Sequence, residues 1–212
     1  MFTGIIEEIG SISSIQHKAA TLTITIHANK VLQDVKLGDS IAVNGVCLTV
    51  TSFTKNSFTV DVMPVTYHDT TLATLNNGSP VNLERAMAAN GRFGGHVVSG
   101  HIDGVGTISN KVKTGNAILY TINLDKNLAL FCIKKGSIAI DGTSLTIVDV
   151  TMDSVQVSII PHTQSESIIG NKTVGDRVNL ECDIMAKQVA KFNSNQPSSN
   201  ISADFLREHG FL

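Results

Sequence analysis

The chain carries two stretches of nearly the same sequence at a constant spacing. Residues 38–50 read GDSIAVNGVCLTV and residues 136–147 read GSIAIDGTSLTI, and Gly142 follows Gly45 by 97 positions. A unit of roughly 100 residues is long enough to enclose a hydrophobic core of its own. The 212 residues of the chain are therefore expected to form two domains of one fold rather than a single large domain.

The similarity continues on both sides of this phrase. VNLE at 81–84 recurs as VNLE at 178–181 with the same offset. Near the amino terminus, TGIIEEIGSI at 3–12 matches SGHIDGVGTI at 99–108 with an offset of 96, which a single insertion accounts for. We therefore expect the duplication to cover nearly the whole of each unit.

The limits of the repeat divide the chain into three parts. Residues 1–96 are predicted to form an N-terminal domain, and residues 97–185 a C-terminal domain of the same kind. In DIMAKQVAKF at 183–192 apolar side chains recur near helical spacing, whereas NSNQPSSN at 193–200 is typical of a linker. Residues 186–212 are therefore expected to form a C-terminal helical segment and tail.

Apolar and polar residues alternate in short runs through both units. LTITI, CLTVT and FTVDVM in the first unit, and SLTIV and VQVSII in the second, have the period of two that is typical of half-buried strands. Asn44-Gly45 and Asp141-Gly142 each lie between two such runs, and they favour tight β-hairpins because these residues tolerate positive φ. The pattern predicts an all-β fold in which each unit closes into a barrel of five or six strands.

Composition argues against several classes of partner. The formal net charge is −2 with 16% charged residues and no basic cluster, so nucleic acid is not expected as a partner. The longest apolar run, LALFCI at 128–133, is far shorter than the roughly 20 residues that cross a bilayer, so no membrane is expected either. Cys47, Cys132 and Cys182 are odd in number and lack CxxC spacing, which favours a reducing cytoplasm and gives no support to a zinc site.

GGHVVSGH at 94–101 joins the two units and supplies two histidines. On an extended segment His96 and His101 point to opposite faces, so they are not expected to share a metal ion. His101 stands where the first unit has Ile5, and a difference between repeats is a place where function can diverge. From the residues alone, a structural and a catalytic role for His101 both stay open.

Cys47 and Ser144 occupy the same position of the repeat, and each precedes a Leu-Thr pair. A nucleophile of either type needs a neighbouring base, but no G-x-S-x-G or Cys-His signature surrounds them. These two residues are therefore either nucleophiles or ordinary strand residues. The sequence contains neither a P-loop nor a G-x-G-x-x-G motif, so no phosphate or dinucleotide site is expected.

Four segments, in order, give the chain a specific resemblance. MFTGII at the amino terminus, NGVCLTV at 44–50, GGHVVSGHIDG at 94–104 and DGTSLT at 141–146 closely resemble the riboflavin synthase family, over Met1 to about Lys191. The resemblance implies transfer of a four-carbon unit between two molecules of 6,7-dimethyl-8-ribityllumazine, giving riboflavin and 5-amino-6-ribitylaminouracil without metal or organic cofactor. It also implies two six-stranded Greek-key barrels followed by a C-terminal helix.

The resemblance implies an assembly as well. Family members form homotrimers through the C-terminal helices, and each site lies between the N-terminal barrel of one subunit and the C-terminal barrel of its neighbour. Lumazine synthase is a further candidate partner. Duplication suits this chemistry, because a reaction between two copies of one molecule needs two similar pockets that face each other.

Candidate site residues follow from the resemblance by position. The first pocket is expected to use Gly4, Ile5, Ile6, Cys47, Leu48, Thr49, Asp61, Val62, Met63, Pro64, Val65 and Thr66. The second pocket is expected to use Gly100, His101, Ile102, Lys135, Ser144, Leu145, Thr146, Ile159, Ile160, Pro161, His162, Thr163 and Gln164. The catalytic candidates are His101 as base, Ser144 or Thr146 as relay, and Ser40 or Cys47, beside water and a ribityl hydroxyl, as nucleophile.

A non-catalytic lumazine- or flavin-binding protein of the same fold is the alternative function. Such a protein is expected to let one of its pockets decay. Here both phrases keep an initial serine and a final Leu-Thr, and His101 and Ser144 are both present, so the residues favour the enzyme. A β-barrel interaction protein without a ligand is a third interpretation, and the family resemblance argues against it.

Overall fold

The computed structural model describes residues 1–18, 21–194 and 203–211 of the chain. Within these ranges the first barrel consists of six antiparallel strands: β1 (Glu8–Lys18), β2 (Thr21–His27), β3 (Ser40–Val43), β4 (Val46–Phe53), β5 (Ser57–Val62) and β6 (Pro80–Arg85). These strands close into a barrel in the order β1-β2-β5-β4-β3-β6.

The second barrel repeats this arrangement. Its six strands in the described ranges are β7 (Gly104–Thr114), β8 (Ala117–Asn123), β9 (Ser137–Ile140), β10 (Thr143–Val150), β11 (Ser154–Ile159) and β12 (Arg177–Cys182). They close in the order β7-β8-β11-β10-β9-β12, which is the order of the first barrel with six added to each strand number. The predicted all-β fold of two six-stranded barrels is confirmed.

Short helices accompany the barrels. In the described part of the chain they are α1 (Pro64–His68), α2 (Lys126–Ala129), α3 (Pro161–Glu166), α4 (Ile184–Ser194) and α5 (Ala203–Glu208), with single 3-10 turns at Lys30–Leu32, Thr71–Thr74 and Ile168–Asn171. Pro64 and Pro161 each occupy the first helical position, which suits proline because its φ is fixed and the missing N–H has no partner there. The sequence pattern placed these prolines only at strand ends.

The two hairpins that the sequence predicts are confirmed. β3 pairs with β4, and β9 with β10, directly across the two glycine turns. Asn44 and Asp141 have φ angles of 48° and 44°, and the glycines that follow, Gly45 and Gly142, have 81° and 79°. Positive φ at both central residues matches the right-handed twist of the flanking strands.

Each barrel encloses its own aliphatic core. In the first, Ile24, Val60 and Leu83 are at most 1% exposed, and in the second Ile122 and Val157 are fully buried. Because side chains alternate along a strand, the same residues that give the sequence its period of two fill the interiors. The domain boundaries at 96 and 185 stay predictions.

The barrels contact each other through the same hairpins. A β-carbon on Gly45 would lie 2.7 Å from the Gly142 nitrogen, and one on Gly142 would lie 2.8 Å from the Gly45 nitrogen. Asn82 Nδ2 donates to the Asp141 carbonyl oxygen at 2.8 Å, and the equivalent Asn179 donates to the first barrel at 2.9 Å. Because these contacts join equivalent positions of the repeat, an approximate twofold axis relates the barrels.

The tail begins where the sequence predicts a helix. α4 follows β12, and its apolar residues Met185, Val189 and Phe192 are between 58% and 76% exposed. The predicted linker at 193–200 lies mostly outside the described residues, since 195–202 are not described. No described helix is long and apolar enough to span a membrane. No three potential metal-ligating side chains cluster among the described residues.

The glycine contact at the twofold axis generates a stability prediction. Gly45→Ala should lower the free energy of unfolding by about 1–2 kcal/mol from positive φ and about 1–3 kcal/mol more from collision with Gly142. Gly78→Ala is the matched control, because Gly78 has φ +85° with nothing within 4 Å of an added β-carbon. Urea unfolding of both variants measures the difference, and equal losses would show that the barrels do not touch here.

Candidate functional site

Segments from opposite repeats meet at the two repeated phrases. The Cys47 amide in β4 donates to the Gly100 carbonyl oxygen at 2.8 Å, although Gly100 belongs to the second repeat. The equivalent Ser144 amide in β10 donates to the Gly4 carbonyl oxygen at 2.8 Å. In each repeat, the extended segment before the first strand therefore lies against the barrel of the other repeat.

This close approach requires glycine at both positions. Gly4 and Gly100 have φ angles of 76° and 86°, a region that residues with side chains rarely adopt. A β-carbon on Gly4 would lie 2.6 Å from Ser144 Cβ, and one on Gly100 would lie 2.5 Å from Cys47 Cβ. Any side chain at either position would push the segment away from the strand it covers.

A pocket of about 220 Å³ lies beside Cys47 and is called the first pocket below. Its walls come from β4, from α1 with the residues after it, and from residues 100–102 of the second repeat. The lining residues are Val46, Cys47, Val65, Thr66, Asp69, Thr70, Gly100, His101 and Ile102. Because Ile102 also packs against the core of the first barrel, His101 is presented to that barrel and not to its own.

This arrangement corrects the expected composition of the pockets. Repeat position grouped residues 4–6 with Cys47 and residues 100–102 with Ser144, but the hydrogen bonds place Gly100 at Cys47 and Gly4 at Ser144. The position of a residue in the repeat does not determine which barrel its segment covers. Each segment approaches its first strand from outside the barrel, so it can lie against the other barrel. No hydrogen bond joins His101 to Ser144 among the described residues, so the expected relay is not formed within one chain.

Ser144 has a different partner, His96. The Ser144 Oγ atom lies 2.7 Å from His96 Nδ1, and the imidazole is only 7% exposed. Burial lowers the pKa of His96 below its usual 6.5, although the carboxylates of Asp183 and Glu181 oppose this effect. The side chains of Ser144 and His96, called the second-pocket pair below, thus combine a hydroxyl with an imidazole that is neutral at neutral pH and able to accept a proton.

This pair has no local sequence signature because 48 residues separate its members, and from the sequence His96 is weighed only as a metal ligand. The signal that could have found it is the glycine pair before the histidine. A β-carbon on Gly95 would lie 2.8 Å from Ser144 Cβ, so the glycine is needed to bring His96 against β10. The His96 Nε2 atom is buried and has no hydrogen-bond partner among the described residues.

Lys135 is held in a strained backbone conformation. Its φ of 68° lies in the left-handed region, where the equivalent residue of the first repeat is Gly38 with φ 89°. Both amides make the same hydrogen bond, to Ile147 at 2.8 Å and to Val50 at 2.9 Å. A lysine at a position that suits glycine costs on the order of 1–2 kcal/mol, and such strain is typical of functional sites. The exposed lysine side chain is therefore a strong candidate ligand group.

The strand residues among the candidates divide by the direction of their side chains. Those in the barrel cores, which can meet a ligand only through main-chain atoms, are Leu48, Val62, Leu145 and Ile159. Thr49 and Thr146 alternate with the two leucines and are exposed, so their hydroxyls point out of the barrels. Ser40 pairs with Thr49 across β3 and β4 and lies near Cys47 on the same sheet.

The other candidates lie where a strand gives way to a helix. β5 ends with Asp61 and Val62, and Met63 precedes α1, which begins with Pro64–Thr66; β11 ends at Ile159, and Ile160 precedes α3, which begins with Pro161–Gln164. Gln164 Nε2 donates to the Ile159 carbonyl oxygen at 2.8 Å, which ties α3 back to its strand. Val65 and Thr66 line the first pocket, so this junction is part of a pocket wall in the first repeat.

Comparison with known proteins places the chain in a family. The family model described as the lumazine binding domain matches it twice, at residues 3–86 and 99–183. The chain is 54% identical to riboflavin synthase of Bacillus subtilis (strain 168) and 55% identical to riboflavin synthase of Actinobacillus pleuropneumoniae, with 100% of every chain covered.

A solved structure agrees with this placement. The crystal structure of LumP complexed with 6,7-dimethyl-8-(1'-D-ribityl) lumazine superposes with a TM-score of 0.77 at 27% identity, covering 86% of this chain and 99% of that chain. The fold of the chain thus recurs in a protein whose crystal structure holds a ribityl lumazine. The chain belongs to the lumazine-binding domain family and, within it, to the riboflavin synthases.

The strain at Lys135 generates a prediction that separates stability from binding. Lys135→Gly should leave the free energy of unfolding unchanged or raise it by up to about 1 kcal/mol, since glycine relieves the strain but orders at greater entropic cost. Lumazine binding should weaken about ten-fold, the effect of losing one hydrogen bond to a charged group. Urea unfolding and fluorescence titration test the two halves; unchanged affinity would remove Lys135 from the site.

The buried imidazole generates a prediction about acid stability. Because the folded-state pKa of His96 is lowered, the unfolded chain binds a proton there first, so this residue costs stability as the pH falls below about 6.5 towards the lowered value. His96→Gln should therefore lose less stability than the wild type between pH 7 and pH 5. Thermal unfolding across this range, with His27→Gln on exposed β2 surface as control, is the measurement. Parallel curves for wild type and His96→Gln would contradict it.

Proposed function

We propose that the chain is an active transferase that converts two molecules of 6,7-dimethyl-8-ribityllumazine into riboflavin and 5-amino-6-ribitylaminouracil. The observation that carries this function is the pair of equivalent hydrogen bonds between the repeats, at Cys47 and at Ser144, in a chain 54–55% identical to riboflavin synthases along its whole length. A non-catalytic carrier is less well supported, since the identity to LumP is 27%. The two products together contain all atoms of the two substrates, so the transfer consumes no oxidant or reductant.

The second-pocket pair is suited to moving a proton. The C7 methyl group of the lumazine is acidic because its carbanion is delocalised through the ring, so only a modest base is needed. The neutral imidazole of His96 can accept that proton through the Ser144 hydroxyl, which lies 2.7 Å from it. General base catalysis by a positioned group contributes on the order of 10²–10⁴ in rate.

His101 and Cys47 serve the first pocket in this proposal. Both line the cavity, and Ser40 lies on the adjacent strand, so base and nucleophile candidates are close together. In a shared site, the first pocket of one subunit faces Ser144 of its neighbour. His101 of one chain then approaches Ser144 of the other, and the proton relay between these two residues forms between chains. Holding two rings in attack geometry is worth roughly 7–11 kcal/mol of the barrier.

Substrate recognition is assigned to main-chain and hydroxyl groups. Thr49 and Thr146 are exposed within the repeated phrases, and a helix that begins at Pro64 or Pro161 follows each phrase. We assign recognition of the polar edge of a pteridine to the hydroxyl and main-chain groups at these positions. Lys135 is suited to a ring or ribityl oxygen, because its ammonium group donates hydrogen bonds and carries charge. The core residues contribute only backbone atoms.

A homotrimer is the assembly that we propose. α4 and the turn before β9 enclose an apolar groove of about 420 Å³, which is called the tail groove. It includes Ile133, Met185 and Val189, which are 58–65% exposed in the single chain. An exposed apolar surface of this kind is typical of a subunit interface. A cytoplasmic location and association with lumazine synthase stay predictions.

The catalytic assignments predict that turnover and binding respond differently. His101→Ala and Ser144→Ala should each lower kcat by about ten- to a thousand-fold, while lumazine affinity changes little, because both residues are assigned to proton transfer. His27→Ala, on the exposed face of β2, is the control. Flavin absorbance after mixing pure protein with the lumazine measures turnover. An inactive wild type that still binds the lumazine would replace the enzyme by the carrier.

The tail groove predicts the effect of a charge on assembly. Val189→Asp should produce a smaller oligomer and strongly reduced turnover, because a carboxylate cannot be buried in an apolar interface without a partner. Val112→Asp is the matched control, since Val112 is a 47% exposed valine on β7, away from the groove. Sedimentation and activity are measured together. A monomeric Val189→Asp protein with normal turnover would contradict a site shared between subunits.

A further inference from the structure

Two buried glutamates hold the crossed segments in place. Glu84 in β6 is 5% exposed, and its Oε1 atom accepts hydrogen bonds from the Thr3 amide at 2.7 Å and the Thr3 hydroxyl at 2.8 Å. Its Oε2 atom accepts one from the Gly4 amide at 3.0 Å. The carboxylate thereby fixes the two residues that lead to the Gly4 carbonyl group.

Glu181 in β12 repeats this arrangement in the second barrel. It is 1% exposed, and its Oε1 atom accepts from the Ser99 amide at 2.6 Å and the Ser99 hydroxyl at 2.7 Å. Its Oε2 atom accepts from the Gly100 amide at 3.0 Å. The same three donors therefore recur at both carboxylates, with serine in place of threonine.

Burying a carboxylate is costly unless several donors satisfy it. Burial raises the pKa of Glu84, and the hydrogen bonds from Thr3 and Gly4 oppose that rise. A core position that needed only packing would be filled by an aliphatic residue, as at the neighbouring Leu83. A carboxylate occupies both equivalent positions, so its role lies in the segment to which it is hydrogen-bonded.

Those segments end at the other barrel. Glu84 holds Gly4, whose carbonyl oxygen accepts from Ser144 in the second barrel. Glu181 holds Gly100, whose carbonyl oxygen accepts from Cys47 in the first barrel. The path from each glutamate to a pocket therefore crosses from one barrel to the other in two hydrogen bonds.

We propose that Glu84 and Glu181 are positioning residues that act crosswise: Glu84 sets the geometry of the second-pocket pair at Ser144, and Glu181 sets that of the first pocket at Cys47. Each barrel thus orders the substrate-contacting wall of the other. The kinetic consequence rests on the proposed function, but the crossed geometry does not. If the glutamates were only structural, each would affect chiefly the barrel that contains it.

Alkylation of Cys47 tests the first half of this proposal without any assay of turnover. Cys47 is half-buried in the first pocket, whereas Cys132 and Cys182 are buried, and peptide mapping after N-ethylmaleimide treatment reads Cys47 alone. Glu181→Gln, which puts an NH₂ group against amide donors, should change the Cys47 alkylation rate about ten-fold, as for one lost hydrogen bond to a charged group. Glu84→Gln should change the Cys47 alkylation rate by less than about two-fold, although Glu84 lies in the same barrel as Cys47.

The mirror experiment uses a thiol in the second pocket. In the doubly substituted protein Cys47→Ser, Ser144→Cys, the alkylation rate at position 144 should respond to Glu84→Gln and not to Glu181→Gln. Equal responses to both glutamates, or a response only to the glutamate of the same barrel, would overturn the proposal. The readout is thiol reactivity and does not depend on turnover. If each thiol responds only to the glutamate of the other barrel in a protein without activity, the proposed function is refuted and the positioning role is supported.

Milder variants cover the case in which a buried carboxamide prevents folding. Thr3→Val and Ser99→Ala each remove one hydroxyl donor and keep the glutamate. Thr3→Val should change only the alkylation rate of the thiol at position 144, and Ser99→Ala should change only that of Cys47. Both changes should be smaller than those in the glutamine variants. In the active enzyme, Glu84→Asp should lower kcat more than it raises KM, since a shorter carboxylate misplaces the segment without removing a ligand contact. Uncrossed responses of these variants would equally overturn the proposal.

Discussion

The two main-chain hydrogen bonds that cross between the repeats are the constraint on which the rest of the structure depends. Cys47 donates to Gly100 and Ser144 donates to Gly4, so the surroundings of both residues are built from both repeats. Separation of the barrels would expose both amides and dismantle both pockets at once. Fold stability and site geometry therefore rest on the same few contacts, which the glycines permit and the two buried glutamates hold.

The approximate twofold axis makes the pockets alike in backbone, but their side chains differ. The first pocket receives His101 where the second receives Ile5, and Lys135 stands in the second repeat where the first has glycine. The two histidines are thereby divided, with His101 beside Cys47 and His96 beside Ser144. In the proposed reaction, two molecules of one substrate with opposite electronic roles would use this combination of shared shape and different chemistry.

The sequence predicts the fold well, because its signals are local. The period of two, the Asn-Gly and Asp-Gly turns and the repeat offset depend on residues close together in the chain, and the structure confirms the barrels and hairpins that they indicate. The candidate site is less predictable. The contact of His96 with Ser144 and the crossing of Gly4 and Gly100 depend on how two finished barrels meet, which no local pattern encodes.

Amide hydrogen exchange at Cys47 and Ser144 tests the crossed arrangement most directly. Both amides should exchange slowly in the intact protein, because each donates to a carbonyl oxygen of the other repeat. Gly4→Ala, whose β-carbon would lie 2.6 Å from Ser144 Cβ, should accelerate exchange at Ser144 about ten-fold or more, as for a lost hydrogen bond, and leave Cys47 protected. Acceleration at Cys47 with Ser144 still protected would contradict the account.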